Sequence, residues 1–290
     1  MEYLIHILIL IGIYIILSSS LNLIAGYTGL ISIAHASFYA IGAYVVALMA
    51  LKLDTPFILN VPCAILLAAS LGFIIGAPSL RIRDDYFVIV TFGFQILTFT
   101  VLKNWNSLTR GALGLPGIPQ PVVFGLKISS LISFLILTIF LCIITLLIIY
   151  RVTHSPYGRI LKAIREDEVF AQAIGKDVSS HKIIVFILGA GLASIAGSLH
   201  AYYISFIDPS SFTVMESIFI ISIVIIGGAG SFWGAIIGSI ILVMLPEMLR
   251  FIGLPASIAA NIRQILYGGM LVVFMIWRPQ GFMGKYTFGD

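Results

Sequence analysis

The chain has 290 residues, of which 60% are hydrophobic and 10% are charged, and its mean hydropathy is +1.13. Soluble domains carry about 25% charged residues, so this composition excludes a soluble globular protein. The net charge of +4 comes from basic residues in short segments between apolar runs, which indicates membrane topology rather than nucleic-acid binding.

Apolar runs of bilayer length recur along the chain, since a spanning helix needs about 20 mostly apolar residues. The first run lacks the basic start of a secretory signal peptide, so we expect an uncleaved span. The sequence predicts an all-α, polytopic transmembrane helix bundle of about eight to ten spans or half-spans, in one domain over 1–290. The runs are 3–24, 30–51, 57–77, 86–102, 128–150, 181–204, 212–227, 231–250 and 261–277.

Two glycine-rich breaks, at residues 26–29 and 227–230, interrupt the apolar runs. Irregular backbone is tolerated at membrane depth only where it is buried in protein or lines a watery cavity. The likeness of the two breaks is compatible with two related halves, as in many transporters. We therefore expect both breaks to be buried in protein or to line a cavity.

Orientation follows from the basic residues, because loops rich in Lys and Arg stay in the cytoplasm. Ten of the 16 Lys and Arg residues fall on one side of the alternating spans and six on the other. This bias predicts that 151–180 and the C-terminus are cytoplasmic and that 103–127 and 205–211 are external. The N-terminus is then external.

The segment 151–180 contains a predicted short interfacial helix, which begins at Ser155-Pro156 and stops at Gly175. Apolar residues recur at a spacing of three to four, and charged residues occupy the other side. A basic helix lying on anionic lipid is one interpretation. The acidic residues 166–168 oppose lipid attraction and favour docking to a protein partner.

Four segments between residue 20 and the end of the chain resemble signatures of the branched-chain amino acid ABC importer permeases. The early and late signatures contain the two glycine breaks, another is an external loop, and the fourth is the interfacial helix. They are the stretch from Leu21 to Ser32 with His35-Ala36 and Gly42-Ala43-Tyr44, Thr109-Arg110-Gly111 with Gly114-Leu115-Pro116-Gly117-Ile118-Pro119, the stretch from Gly158 to Gly175, and Gly227-Gly228-Ala229-Gly230-Ser231 with Gly234-Ala235.

The resemblance implies a permease subunit of an ATP-driven importer for branched-chain or other neutral amino acids, with urea or short amides as the alternative solutes. It also implies a second, paralogous permease, two ABC ATPase subunits that bind ATP and Mg, and an external solute-binding protein. The membrane would be the cytoplasmic membrane of a bacterium or archaeon. We expect the second permease to pack against the Gly- and Ala-rich helix faces.

The resemblance further implies that the interfacial helix is a coupling helix, which sits in a cleft of the ATPase. The implied coupling residues are Gly158, Arg159, Lys162, Ala163, Arg165, Glu166, Asp167, Glu168, Ala171 and Gly175.

Polar groups inside spans are costly, so each is a candidate for the translocation path. The candidates are Asn22, His35, Gln95, Glu216 and the backbone of Gly227, Gly228 and Gly230. The structural alternative for Asn22 and Gln95 is a bond to a neighbouring helix backbone. His35 fits a structural donor, a gate or a cavity wall. Glu216 lies near the external end of its run and fits a hydrated position.

The sequence indicates no nucleotide-binding, metal-binding or catalytic motif in this chain. The sequence lacks the G-x-x-x-x-G-K-[ST] loop that binds nucleotide phosphates and the H-E-x-x-H zinc motif, and Cys63 and Cys142 are far apart within apolar runs. We therefore predict that the chain is not an enzyme, needs no cofactor and holds no metal. A self-sufficient carrier or facilitator, and an intramembrane enzyme or scaffold, remain the alternatives.

Overall fold

The computed structural model describes residues 2–80, 84–123, 125–250, 265, 268–274, 276–278 and 280–284. Within these ranges the chain is almost entirely helical. The helices are α1 (Glu2–Leu21, continued by a π-helical turn at Asn22–Gly26), α2 (His35–Lys52), α3 (Phe57–Ser79), α4 (Asp84–Asn104), α5 (Asn106–Thr109), α6 (Leu131–His154), α7 (Pro156–Glu166), α8 (Glu168–Ala173), α9 (Val178–Ile204), α10 (Val214–Gly227) and α11 (Phe232–Arg250). Residues 268–274 are also helical.

Six helices of the described ranges are long and apolar enough to cross a membrane, namely α1, α2, α3, α4, α6 and α9. Helix α10 and the apolar part of α11, Phe232–Glu247, are shorter than these six helices, and the polytopic helix bundle predicted from the sequence is confirmed. Most of the last predicted run, 261–277, lies outside the described residues. Arg81 and Arg83, two of the ten basic residues predicted to be cytoplasmic, also lie outside the described residues.

Helices α2 and α9 form the centre of the bundle, and most of their residues are buried. Helices α3, α4 and α6 are buried along one side only, and their outer sides expose Leu, Ile and Phe, as a lipid-facing surface requires. Helix α1 crosses the bundle between α6, α9, α10 and α11. The core therefore lies around α1, α2 and α9.

Small residues set the close approaches in this core. A Cβ added at Gly42 would overlap the backbone of Ser194, and one at Gly197 would overlap the backbone of Tyr39. Backbone approach of this kind replaces the hydrophobic drive that helices lack in lipid. The predicted glycine contacts of α9 and α11 are thus confirmed, but they are contacts within the chain. Helices α1, α2, α3 and α10 cover these glycines, whereas Gly268 and Gly269 have no described atom within 4 Å of their Cβ positions, so the packing of a second permease on Gly-rich faces stays a prediction.

Two small β-ladders mark one end of the bundle, called here the hairpin end. Strand β1 (Leu115–Pro116) pairs antiparallel with β4 (Phe206–Ile207), and β2 (Val122–Val123) pairs antiparallel with β3 (Leu126–Lys127). The other end, called here the α7 end, carries α7 and α8 between the end of α6 and the start of α9. The chain thus has two chemically different ends.

The α7–α8 segment differs from the single helix expected between Ser155 and Gly175. The start and stop are as predicted, since Ser155 caps α7 and Gly175 has a φ of 78° beyond α8. Asp167 breaks the run because its backbone is extended, with φ −153° and ψ 106°, and its carboxylate accepts from the Phe170 amide at 2.9 Å. A helix-capping Asp therefore ends one helix and begins the next.

Candidate functional site

The two glycine breaks, which are distant in the chain, meet at the α7 end. We call this contact the break junction, formed by Asn22–Gly26 of α1 and residues 227–231 between α10 and α11. The Asn22 side chain joins the two parts, because its Oδ1 accepts from the Gly230 amide and its Nδ2 donates to the Ser231 carbonyl, both at 2.8 Å. One buried side chain thus pairs two backbone groups of the irregular segment.

Glycine at position 26 lets these backbones touch. A Cβ there would overlap the Gly230 amide nitrogen and the Asn22 Oδ1. Gly230 has a φ of 75°, a conformation that side chains with a Cβ rarely adopt. The widened π turn at Asn22–Gly26 directs the Asn22 side chain toward the second break, and such turns are frequent at functional sites.

Helix α7 packs directly on the break junction. The Arg165 guanidinium donates to the Gly26 carbonyl, and its Cγ lies 3.3 Å from the Cβ position of Gly29. One turn earlier, the Lys162 ammonium lies 5.7 Å from the ring centroid of Tyr27, a cation–π geometry. Two of the predicted coupling cations therefore face the bundle rather than an outer charged surface.

Helices α7 and α8 are also anchored to α6 and α9. Gly158 is buried against the Thr153 backbone, and the Lys182 ammonium, with a side chain only 2% exposed, bonds the Glu168 carboxylate at 2.6 Å. Tyr157 stacks on His181 and donates to its carbonyl at 3.0 Å. Burial raises the pKa of the Tyr157 hydroxyl to about 12, so this donor stays neutral at physiological pH.

The outer side of α8 is apolar and open. Val169, Phe170 and Ile174 are 75%, 60% and 53% exposed, although Ala171 is buried beneath them. The predicted coupling residues Arg159, Glu166 and Asp167 are exposed, and the two acidic residues directly precede α8 in the chain, while Ala163 is half-buried. An exposed apolar patch bordered by charged residues is typical of a protein-docking surface.

Comparison with known proteins gives matches that extend over most of the chain. Residues 3–275 match the protein family described as branched-chain amino acid transport system, permease component. The chain belongs to this permease family. It is 35% identical to the high-affinity branched-chain amino acid transport system permease protein LivM of Escherichia coli (strain K12), over 93% of this chain and 68% of that protein.

The chain matches a larger share of two further relatives. The permease is 27% identical to the high-affinity branched-chain amino acid transport system permease protein LivH of Escherichia coli (strain K12), over 94% of this chain and 91% of that protein. It is 24% identical to the probable branched-chain amino acid transport permease protein LivM of Methanocaldococcus jannaschii, over 95% of this chain and 91% of that protein. No solved structure gives a significant match.

The other path candidates of the permease lie between the break junction and the hairpin end. Gln95 is fully buried, donates to the Phe212 carbonyl at 2.8 Å and accepts from the Ser37 hydroxyl at 2.7 Å. His35 is fully buried, and its Nε2 lies 2.7 Å from the Ser20 hydroxyl. Its Nδ1 has no hydrogen-bond partner among the described residues. Asn22 and Gln95 therefore both bond neighbouring backbone, which was the structural alternative for them.

Glu216 is half-buried near the end of its apolar run, as its sequence position suggested. It lies in the first turn of α10, where Tyr14 donates to its Oε1 at 2.7 Å. Both side chains line a cavity of about 530 Å³ between α1, α10 and α11, together with Phe219, Val243 and Glu247. The cavity combines apolar walls with two carboxylates.

The remaining glycines of the second break are packing positions. A Cβ at Gly227 would overlap the Gly234 carbonyl, and one at Gly228 would overlap the backbone of Gly284. Sequence reasoning did not select Tyr27, Ser231 or Lys182, although all three contact predicted residues. Lys182 carried a usable signal, because a cation at the start of an apolar run must find a partner or reach water.

Proposed function

We propose that this chain is the membrane-spanning permease subunit of an ABC importer for branched-chain or other neutral amino acids. The observation that carries the proposal is the two-sided arrangement of α7 and α8. Their inner side contacts both glycine breaks, while their outer side exposes the apolar patch of Val169, Phe170 and Ile174. Membership of the family and the names of the relatives supply the solute class.

An importer of this kind needs three sorts of partner protein. A second, paralogous permease completes the path, two ABC ATPase subunits bind ATP and Mg and receive the α7–α8 patch, and an external solute-binding protein delivers the solute. The α7 end and the C-terminus face the cytoplasm, and the hairpin end faces outward. The whole assembly lies in the cytoplasmic membrane of a bacterium or archaeon.

The solute path, in this proposal, runs along α1 and α10 from the Glu216 cavity, past Gln95 and His35, to the break junction. Moving a two-state gate from 1:99 to 99:1 requires about 5.5 kcal/mol of differential binding. A small neutral solute with few contacts supplies little of this. Nucleotide-driven movement of α7 and α8 supplies the remainder.

The test is purification from the native membrane followed by reconstitution. The chain, tagged and extracted in mild detergent, should retain two ATPases and a second permease, identified by mass spectrometry. In liposomes with the binding protein, this complex should take up leucine only when ATP is present, and excess urea should not compete. Uptake by the chain alone without ATP would establish a self-sufficient carrier instead. Competition by urea would show that the solutes are urea or short amides rather than neutral amino acids.

The docking patch is tested by Phe170→Asp. A charge on this exposed apolar side should lower ATPase recovery and abolish ATP-driven uptake, because the partner would have to bury it unpaired. Leu113→Asp is the matched control, since Leu113 is 82% exposed at the hairpin end. Equal ATPase recovery by both variants would place the ATPase elsewhere on the chain.

A further inference from the structure

We propose that Arg165 is a positioning residue that holds the break junction closed and links α7 movement to α1. This inference rests on the proposed function, since it assigns a route for the movement that the ATPase produces. Arg165 is the point at which α7 contacts both breaks: its guanidinium donates to the Gly26 carbonyl and lies against Gly230. A planar guanidinium with several donors suits contact with two backbone segments.

The Gly26 carbonyl is a suitable acceptor because it ends the π turn. Carbonyls at a helix end lack intrahelical partners, and the neighbouring ones here are satisfied locally. The Tyr27 amide donates to the carbonyls of Asn22 and Ile24, and the Gly29 amide donates to that of Ala25 at 3.1 Å. The Gly26 carbonyl instead receives a charged donor from another element, which gives a stronger bond than a neutral donor.

The rest of α7 fixes the direction of this contact. Lys162 and Arg165 are three residues apart and therefore occupy one face of α7, which lies on the first break. Ile164 of α7 and Ala171 of α8 pack in one buried cluster with Val178, so α7 and α8 form one unit between α6 and α9. Displacement of this unit away from the bundle separates Arg165 from Gly26. The two Asn22 bonds then remain as the side-chain link between the breaks.

Ser20 is a reporter for opening. It lies on α1 two residues before the π segment and is completely buried, so a thiol there reacts with a cytoplasmic reagent only when the junction opens. The background carries Cys63→Ala, Cys142→Ala and Ser20→Cys. The reconstituted complex, with its α7 end outward, is exposed to a membrane-impermeant maleimide with and without ATP. Arg165→Lys keeps the charge and a donor, while Arg165→Met keeps only the aliphatic stem.

When Arg165 is present, we expect the thiol of Ser20→Cys to be labelled slowly without ATP and fast with ATP. Arg165→Met should label without ATP faster by about tenfold or more, the factor that loss of a charged hydrogen bond commonly gives. It should also leak solute without ATP, and Arg165→Lys should lie between the two. Arg151→Gln removes an exposed charge from the same end and should label like the parent.

Equal labelling rates for Arg, Lys and Met at position 165 would overturn the proposal, as would fully coupled uptake by Arg165→Met. If Arg165→Met does not assemble, the labelling rates of Arg165→Lys and the parent are compared instead, and equal rates would overturn the proposal. Absence of ATP-driven uptake in the parent complex would instead contradict the proposed function. The two failures are therefore separable.

Discussion

Asn22 carries a function that few side chains could supply. Its amide donates to one backbone group and accepts from another at 2.8 Å each, at a point where α10 has ended and α11 has not begun. Asp would lose the donor and Leu would lose both bonds. At the residue scale, the junction therefore depends on the bifunctional chemistry of one amide.

Glu168 neutralises a cation that the fold has buried. The Lys182 side chain is 2% exposed and that of Glu168 is 38% exposed, with 2.6 Å between Nζ and Oε2. Glu168→Ala should lower the free energy of unfolding by about 1–2 kcal/mol, less than for a fully buried pair, because Glu168 is partly screened by solvent. Thermal unfolding of the purified chain in mild detergent measures this. Glu166→Ala, at an exposed neighbouring position, should change it by less than about 0.5 kcal/mol.

At the element scale, the irregular segments govern how α1, α10 and α11 fit together. The Gly26 carbonyl of the π turn, and the Gly230 amide and Ser231 carbonyl of the second break, bond side chains from other segments. Asn22 makes two of these bonds, and Arg165 of α7 makes the third. One face of α7 thus contacts the bundle at these irregular helix ends.

Gly26→Ala tests this fit. The added Cβ would overlap Gly230 and Asn22, so the breaks must separate, at a cost of about 1–3 kcal/mol in the free energy of unfolding. ATP-driven uptake should fall with it. Gly93→Ala on α4 is the matched control, because no described atom lies within 4 Å of that Cβ, and its stability should equal or exceed that of the parent. Equal stability of the two variants would show that the junction is looser than the structure indicates.

At the scale of the whole molecule, the two ends differ in chemistry and should face different compartments. Lys176 is exposed between α8 and α9 at the α7 end, and Lys127 is exposed in β3 at the hairpin end. In a Cys63→Ala, Cys142→Ala background, Lys176→Cys should react with an impermeant maleimide only in inside-out vesicles. Lys127→Cys should react only in right-side-out vesicles. The reverse pattern would invert the orientation predicted from the basic residues.

Composition and periodicity determined much of the architecture. Apolar runs of bilayer length located α1 to α4, α6 and α9, because lipid forces backbone polar groups into helices whatever the neighbours are. Capping chemistry located the ends of the α7–α8 segment at Ser155 and Gly175. The break at Asp167 was not foreseen, since a helical charge pattern runs through it without interruption.

The tertiary structure alone decided what the polar and small residues contact. The sequence identified Asn22, the glycine breaks and Arg165 as separate features, and only the fold brought them to one junction. It also showed that the Gly-rich faces of α9 and α11 serve contacts within the chain. Local patterns determine which segments are helical because the bilayer constrains each helix separately. Partners 139 and 208 residues apart are chosen by packing, which no local pattern contains.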